Sequence, residues 1–242
     1  MPRADPEYRM SGILYIISAP SGSGKSTLVN ELRKFVPNLE FSISYTTRAP
    51  RGSEQNGREY HFIAREAFKG MIDRNEFLEH ADVFGNYYGT AKHVFEQAAR
   101  RGNDVLLDID VQGERQVKRE MPDSVSIFVL PPSRTELESR LRKRSISENV
   151  HSEEIIQRRL DTARKEIENY PNYDYILVND HLEESVDRLQ AIVLGERLKR
   201  SGKPLSADEK RYVETATTCL KENMEEKIRS ILASFDVSLP KM

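Results

Sequence analysis

The sequence has one cysteine, no long apolar run and almost no net charge, and each shortage excludes a class of protein. Cys219 has no partner for an internal disulfide, and no apolar run approaches the length that spans a bilayer. The first nine residues lack the apolar region of a secretory signal. The net charge of −2 argues against a general nucleic-acid or membrane binder, and the five histidines lack metal-ligand spacing. We therefore expect a soluble, cytoplasmic protein that binds neither nucleic acid nor membrane.

A Gly/Ser-rich turn near the start of the chain is the feature around which the rest is organised. Apolar residues 13–17 predict a buried strand before it, and apolar side chains at helical spacing predict a helix after it. Such a turn binds phosphate, because its glycines let the backbone approach an anion that the helix N-terminus favours. Lys25 adds a positive charge, and the Ser26 hydroxyl can ligate Mg²⁺. We predict a nucleoside triphosphate with magnesium as the ligand.

The nine residues expected around this triphosphate are Ala19, Pro20, Ser21, Gly22, Ser23, Gly24, Lys25, Ser26 and Thr27. Ala19 departs from the usual pattern, which has Gly six residues before the lysine. Alanine is acceptable there if the position needs only a negative φ. The alternative, a flexible Gly/Ser loop, does not account for the strand before the turn and the helix after it.

The order of apolar and amphipathic segments predicts the fold. Buried strands alternate with helices through residues 12–200, which indicates an α/β protein whose parallel sheet is flanked by helices. Residues 44–93 break the alternation and predict an inserted lobe of short mixed strands. A polar, basic stretch within residues 140–160 predicts a lid between two helices. Residues 201–242 predict a helical extension that begins with a capping box at Ser206 and reaches about residue 235.

Local signals also predict some turns and caps. Residues 85–89 read as a tight turn, and Thr90 as the N-cap of a helix that ends at Gly102. Asp180 is predicted to cap the helix beginning at Leu182, and Ser133 the helix that carries Leu137.

Three further groups of residues are candidates for chemistry. Asp108 follows a buried strand, where a carboxylate can hold magnesium; the alternative is a helix cap. A second anion site is suggested by arginines in a Gly/Pro loop and nearby tyrosines, although solvated arginines are an open alternative; these residues are Arg48, Arg51, Tyr60 and Tyr88. Basic residues of the lid could close over a γ-phosphate, or they could be an ordinary charged helix face; these are Arg140, Arg144, Arg158 and Arg159.

Several unusual stretches together resemble the guanylate kinase family, whose members phosphorylate GMP with ATP. In family order they are residues 19–26, 44–51, 57–60, 77–79, 85–89, 107–113, 131–133 and 178–180. The resemblance covers nearly all of residues 12–200 and implies the P-loop nucleoside monophosphate kinase fold. It also implies ATP as donor, GMP and dGMP as acceptors, Mg²⁺ as cofactor and a place in purine nucleotide metabolism.

The resemblance also implies a role for each matching residue. The positions around guanine are Ser44, Glu79, Thr90 and Asp110. The ligands of the GMP phosphate are Arg48, Arg51, Tyr60 and Tyr88. The arginines around the transferring phosphoryl group are Arg140, Arg144 and Arg159, and Asn179 lies near the nucleotides. A carboxylate at Glu79 suits guanine, which offers N1–H and N2–H donors where adenine presents an acceptor at N1.

The chain departs from the family pattern in three places. The segment from Arg144 to Ser152 is a few residues longer than usual, with Ser145 where glycine is common. Thr90 replaces a frequent serine and keeps the hydroxyl. Residues 201–242 extend beyond the match; we expect them to pack on the core, and the alternatives are self-association into a homo-oligomer or another contact. Three other functions are weighed: a non-catalytic guanylate-kinase-like binding module, a kinase of a different nucleoside monophosphate, and nucleic-acid binding, against which the balanced charge argues.

Overall fold

The computed structural model describes residues 12–83, 85–147 and 152–237. The strands are β1 Leu14–Ser18, β2 Leu39–Phe41, β3 Tyr45–Thr46, β4 His61–Phe62, β5 Phe77–Val83, β6 Asn86–Ala91, β7 Asp104–Asp108, β8 Val125–Leu130 and β9 Tyr175–Val178. The helices are α1 Lys25–Leu32, α2 Arg65–Asp73, α3 Lys92–Arg100, α4 Val111–Glu120, α5 Arg134–Ser147, α6 Glu153–Ile167, α7 Leu182–Ser201, α8 Ala207–Thr218 and α9 Glu225–Ser234. Single 3-10 turns lie at Tyr170–Asn172 and Lys221–Asn223.

A five-stranded parallel sheet with the order β2-β7-β1-β8-β9 confirms the predicted α/β class. Strand β2 pairs with β7, with Leu39 opposite Asp104, and β8 pairs with β9, with Ile127 opposite Tyr175. Every residue of β1, β8 and β9 is buried, as expected for strands that helices cover on both faces. The chain divides into two compact units: residues up to 16 with 38–125, and residues 17–37 with those from 126 onward.

The first unit contains a second sheet, with the order β4-β3-β6-β5. Strand β3 pairs parallel with β4 and antiparallel with β6, which in turn forms an antiparallel pair with β5. Beneath the sheet, the Phe68 ring stacks on Phe77 with centroids 4.4 Å apart and on Tyr87 at 5.4 Å. These aromatic contacts give the mixed sheet its own apolar core, which agrees with the inserted lobe expected from the sequence.

The predicted turn at residues 85–89 and the predicted Thr90 cap are wrong. Residues 86–91 form β6, and Gly85, with φ of 80°, lies at the turn before it. Thr90 pairs with Glu79 across the hairpin, and α3 begins after Ala91 without a side-chain cap. Tyr87 and Tyr88 pair with Asp82 and Ala81 of β5, and this strand pairing outweighs the local turn signal of the sequence.

The predicted Asp180 cap is also wrong. His181 is the N-cap of α7, while the Asp180 carboxylate accepts from the His181 N–H at 3.0 Å and binds Lys227 Nζ at 3.1 Å. The Ser133 cap is confirmed, since its hydroxyl accepts from the Glu136 N–H at 3.1 Å. The cation of α9 thus engages the carboxylate that the sequence alone assigns to a helix start.

The basic stretch expected to begin the lid at Arg140 is helical as far as residue 147. Ion pairs one turn apart support the helix: Arg140 with Glu136, and Arg142 with Glu138. Arg140 and Arg144 therefore lie one turn apart on α5, and Arg159 lies on α6. Residues 148–151 of the expected lid fall outside the described part of the chain.

The C-terminal extension packs within the second unit. The predicted capping box of Ser206 and Glu209 is confirmed at the start of α8. The predicted single helical stretch is interrupted after α8, where the Ile176 N–H donates to the Cys219 carbonyl at 2.8 Å and Leu220 bridges Tyr175. The extension thereby pairs with the edge strand β9. In α9, Ile228, Ile231 and Leu232 are buried, so packing accounts for the described part of this segment.

Candidate active site

The phosphate-binding turn joins β1 to α1 as the sequence predicts. Gly22 and Gly24 have φ values of 93° and 88°, a region that disfavours side chains with a Cβ. Ala19 is not among the residues with positive φ, which explains how alanine replaces the usual glycine. Gly24 is the N-cap of α1 and offers no side-chain acceptor. Helix α1 therefore begins without a side-chain cap, at the helix end that favours an anion, and Lys25 lies on its first turn.

Asn179 and Arg140 both hydrogen-bond to this turn, at the carbonyl of Ser23. The Asn179 amide Nδ2 donates to the Ser23 carbonyl at 2.7 Å. Arg140 donates through Nη2 to the Asn179 carbonyl at 3.0 Å and through Nη1 to the Ser23 carbonyl at 3.4 Å. A Cβ on Gly24 would lie 2.3 Å from Asn179 Nδ2, so this close approach requires glycine. The structure thus brings Arg140 to the turn, together with Asn179, which the family resemblance placed near the nucleotides.

A buried carboxylate, Glu79, lies in the first unit beside two hydroxyl groups. Glu79 is 5% exposed, and its Oε1 accepts from Thr90 Oγ1 at 2.7 Å. Thr90 Oγ1 also lies 3.4 Å from the Ser44 hydroxyl. A Cβ on Gly113 would approach Glu79 Oε2 to 2.8 Å, so Gly113 leaves room for the carboxylate. Three of the four residues predicted around guanine therefore form one hydrogen-bonded group.

The fourth residue, Asp110, caps α4 beside this group. Its Oδ1 accepts from the N–H groups of Gln112 and Gly113, both at 2.9 Å. Burial raises the pKa of Glu79 to about 7, and the charge of Asp110 acts in the same direction. The hydrogen bonds from Thr90 oppose this shift of the pKa. Around neutral pH the Glu79 carboxyl group is therefore present in both its protonated and its ionised form.

From the raised pKa of Glu79 we predict how the free energy of unfolding of the nucleotide-free chain depends on pH. Between about pH 4.5 and about pH 7 the folded chain retains a proton that the unfolded chain has released, so Glu79 should lower the free energy of unfolding as pH rises. The total change is on the order of 3 kcal/mol. Urea unfolding of wild type and Glu79→Gln across this range measures it, because glutamine does not titrate. Parallel pH profiles for the two proteins would contradict the assignment.

Arg48 lies among aromatic side chains in the loop that follows β3. Its Nε donates to the Tyr88 hydroxyl at 3.1 Å, and its guanidinium carbon lies 5.4 Å from the centre of the Tyr60 ring. The two tyrosine rings meet edge to face with centroids 5.8 Å apart. Burial raises the pKa of Tyr60, so its hydroxyl remains a donor at neutral pH. Three of the four residues predicted for the second anion site are thus together, and Arg51 is exposed on the same loop.

Glu54 is a part of this cluster that the sequence analysis missed. It accepts from Arg48 Nη2 at 3.0 Å through Oε1 and from the Arg51 backbone N–H at 2.8 Å through Oε2. The sequence did contain a signal for this contact, since Glu54 follows the two loop arginines within six positions.

The two residues predicted to ligate magnesium are each exposed: Asp108 at the end of β7, and Ser26 in the first turn of α1. A carboxylate and a hydroxyl are hard oxygen donors, which fits an ion that is usually bound through one or two carboxylates plus substrate phosphates. Among the described residues, no three His, Cys, Asp or Glu side chains are grouped so as to hold a metal. In the same part of the chain, no helix is both long and apolar enough to cross a membrane.

Comparisons with known proteins all match this chain to one family. The sequence profile of the family described as guanylate kinase matches residues 11–196. The guanylate kinase of Koribacter versatilis (strain Ellin345) is 60% identical over 226 residues, covering 93% of this chain and 97% of that protein. The guanylate kinase of Desulfitobacterium hafniense (strain Y51) is 47% identical over 193 residues, covering 80% and 94%.

A solved structure agrees with these matches. The crystal structure of guanylate kinase from Anaplasma phagocytophilum superimposes with a TM-score of 0.63 and 36% sequence identity. The match covers 77% of this chain and 86% of that one. The relative from Koribacter versatilis also matches over a longer part of this chain than the relative from Desulfitobacterium hafniense.

Proposed function

This chain belongs to the guanylate kinase family, and we propose that ATP is its phosphoryl donor, that GMP and dGMP are its acceptors and that Mg²⁺ is its cofactor. It is a nucleoside monophosphate kinase of the ATP:GMP type. The observation that best supports guanine as the base is the buried Glu79, hydrogen-bonded to Thr90 of the neighbouring strand β6.

The acceptor base is recognised by hydrogen-bond complementarity. The ionised Glu79 carboxylate accepts from guanine N1–H and N2–H, while the hydroxyls of Ser44 and Thr90 and the carboxylate of Asp110 border the base. Adenine would present its N1 lone pair to the carboxylate, which leaves buried acceptors unpaired and is strongly unfavourable.

The acceptor phosphate lies against Arg48 and Arg51, with the hydroxyls of Tyr60 and Tyr88 as further donors. A phosphomonoester has its second pKa at about 6, so this group is mostly a dianion at neutral pH. One of its oxygens attacks the γ-phosphorus of ATP, and the bond from that phosphorus to the bridging β,γ-oxygen breaks. No side chain is needed as general base, since the nucleophile is already deprotonated.

The donor binds along the phosphate-binding turn, residues 19–27. Backbone N–H groups and Lys25 contact its phosphates, while Ser26 and Asp108 would hold Mg²⁺, which neutralises phosphate charge when bound. Arg140, Arg144 and Arg159 neutralise the transferring phosphoryl group. Catalysis by this chain is thus alignment together with electrostatic stabilisation of the transition state.

Formation of ADP from ATP and Mg²⁺ tests the function, with GMP, dGMP, AMP, CMP and UMP as parallel acceptors. We expect strong turnover with GMP and dGMP alone. Comparable turnover with another monophosphate would identify a kinase of different specificity. No turnover with any acceptor, in protein shown to be folded, would identify a binding module instead.

The remaining expectations concern location and assembly. Balanced charge agrees with a cytoplasmic protein without a nucleic-acid partner, and self-association remains a prediction. Light scattering of the purified chain measures the oligomeric state directly.

A further inference from the structure

The carboxylate of Glu54 contacts both Arg48 and Arg51, the two arginines proposed to bind the acceptor phosphate. Glu54 follows Arg48 by six positions, and the side chains are 23% and 10% exposed respectively. Both carboxylate oxygens approach Arg48 Nη2, Oε1 at 3.0 Å and Oε2 at 2.9 Å. A negative charge here repels a phosphate dianion, so its presence requires an explanation.

The hydrogen bonds of Glu54 supply that explanation. Its Oε2 accepts from the Arg51 N–H at 2.8 Å, and its own N–H donates to the Arg51 carbonyl at 2.9 Å. Glu54 and Arg51 therefore close the loop reciprocally, as the two members of a capping box do. The same carboxylate orients the guanidinium of Arg48, whose Nη1 donates to the Ala49 carbonyl at 2.7 Å and whose Nε reaches the Tyr88 hydroxyl.

We propose that Glu54 is a positioning residue for the acceptor phosphate: it holds the Arg48 fork and the Arg51 backbone in the arrangement that binds this phosphate. This inference rests on the proposed function. The carboxylate also lowers the mutual repulsion of the two arginines before the substrate arrives, while the Arg48 N–H groups fixed by Tyr88 and Glu54 limit the side-chain entropy lost on binding. The hydrogen bond from the Arg51 backbone N–H lowers the pKa of Glu54, and the hydrogen bond from Arg48 acts in the same direction, so Glu54 stays ionised at neutral pH.

Two substitutions of Glu54 distinguish a positioning role from competition between its carboxylate and the phosphate of GMP. Glu54→Ala removes both acceptors, and we expect the KM for GMP to rise at least about tenfold with little change in the KM for ATP. Glu54→Gln keeps the side-chain length and one carbonyl acceptor, and we expect a rise of about threefold. If the carboxylate merely competed with phosphate, both variants would lower the KM for GMP.

Inhibition by guanosine distinguishes the loss of a phosphate contact from a general loosening of the inserted lobe, residues 44–93. Guanosine carries the base and sugar of GMP without the phosphate, so its inhibition constant against GMP reports the base site alone. We expect this constant to be unchanged in both Glu54 variants. Equal weakening of GMP and guanosine would overturn the proposal, and so would a KM for GMP that is unchanged or lower. If Glu54→Ala does not fold, Glu54→Gln decides by the same measurements.

Glu59 offers a matched control in the same segment. Its carboxylate accepts from a backbone N–H, that of Gln55 at 2.8 Å, and from Arg58 Nε at 2.6 Å. Neither partner belongs to the proposed phosphate site, so Glu59→Ala should leave the KM for GMP unchanged. A rise equal to that of Glu54→Ala would contradict the specific role. Failure of the proposed function is distinguishable, since wild type would then show no saturation by GMP and no inhibition by guanosine.

Discussion

Lys25→Met is expected to lower kcat by on the order of a thousandfold while the chain remains folded. Lys25 is the first residue of α1 and directly follows the left-handed Gly24, so its position is fixed relative to the phosphate-binding turn. Negative charge shifts towards the leaving β-phosphate as the γ-phosphoryl group departs, and the lysine ammonium stabilises it there. Methionine preserves the unbranched side chain and the helix propensity without the charge.

Lys34 provides the control for this substitution. It lies just beyond α1, where its Nζ contacts Glu31 Oε1 at 2.7 Å in an exposed ion pair. Lys34→Met removes the same charge from the same region and should leave kcat within about twofold of wild type. Steady-state rates at saturating ATP and GMP, with circular dichroism as the check on folding, decide the comparison. A wild-type rate for Lys25→Met would remove Lys25 from catalysis.

Buried runs of apolar residues were the most informative part of the sequence for the fold. The strand Tyr175–Val178 is such a run, because four consecutive buried apolar residues between polar neighbours leave little choice of element. The phosphate-binding turn was equally predictable, since its glycines have φ values that only glycine adopts easily. In both cases the determining interactions lie close together in the chain.

The errors arose where distant residues decide the structure. Thr90 has a helix-capping side chain, yet its hydroxyl donates to Glu79 on the neighbouring strand. Asp180 precedes a helix, yet it binds Lys227 of the C-terminal extension, 47 positions away. The amide of Asn179 likewise donates to the Ser23 carbonyl, 156 positions away. Local capping and turn signals cannot register such tertiary partners.

Glu79→Gln is expected to lower kcat/KM for GMP by on the order of a thousandfold and to reduce the preference for GMP over AMP. An ionised carboxylate accepts two hydrogen bonds from guanine, whereas a glutamine amide offers one acceptor and turns its N–H₂ group towards the other donor. Glu79 is 5% exposed and confined by Gly113 and Thr90, so the amide has little room to rotate away. The KM for ATP should not change, because the donor phosphates are assigned to the loop around Lys25.

Inosine monophosphate sharpens this test, since its base keeps N1–H and lacks the N2 amine. Wild type should discriminate strongly between GMP and this analogue, and Glu79→Gln should discriminate less, because its carbonyl can satisfy N1–H alone. Glu76→Gln is the matched control: this carboxylate precedes the same strand and pairs with Arg74 Nε at 2.6 Å on the surface. We expect the control to keep the wild-type ratios of kcat/KM. Unchanged discrimination against both AMP and inosine monophosphate in Glu79→Gln would assign base selection to other residues, with Ser44 and Asp110 the next to substitute.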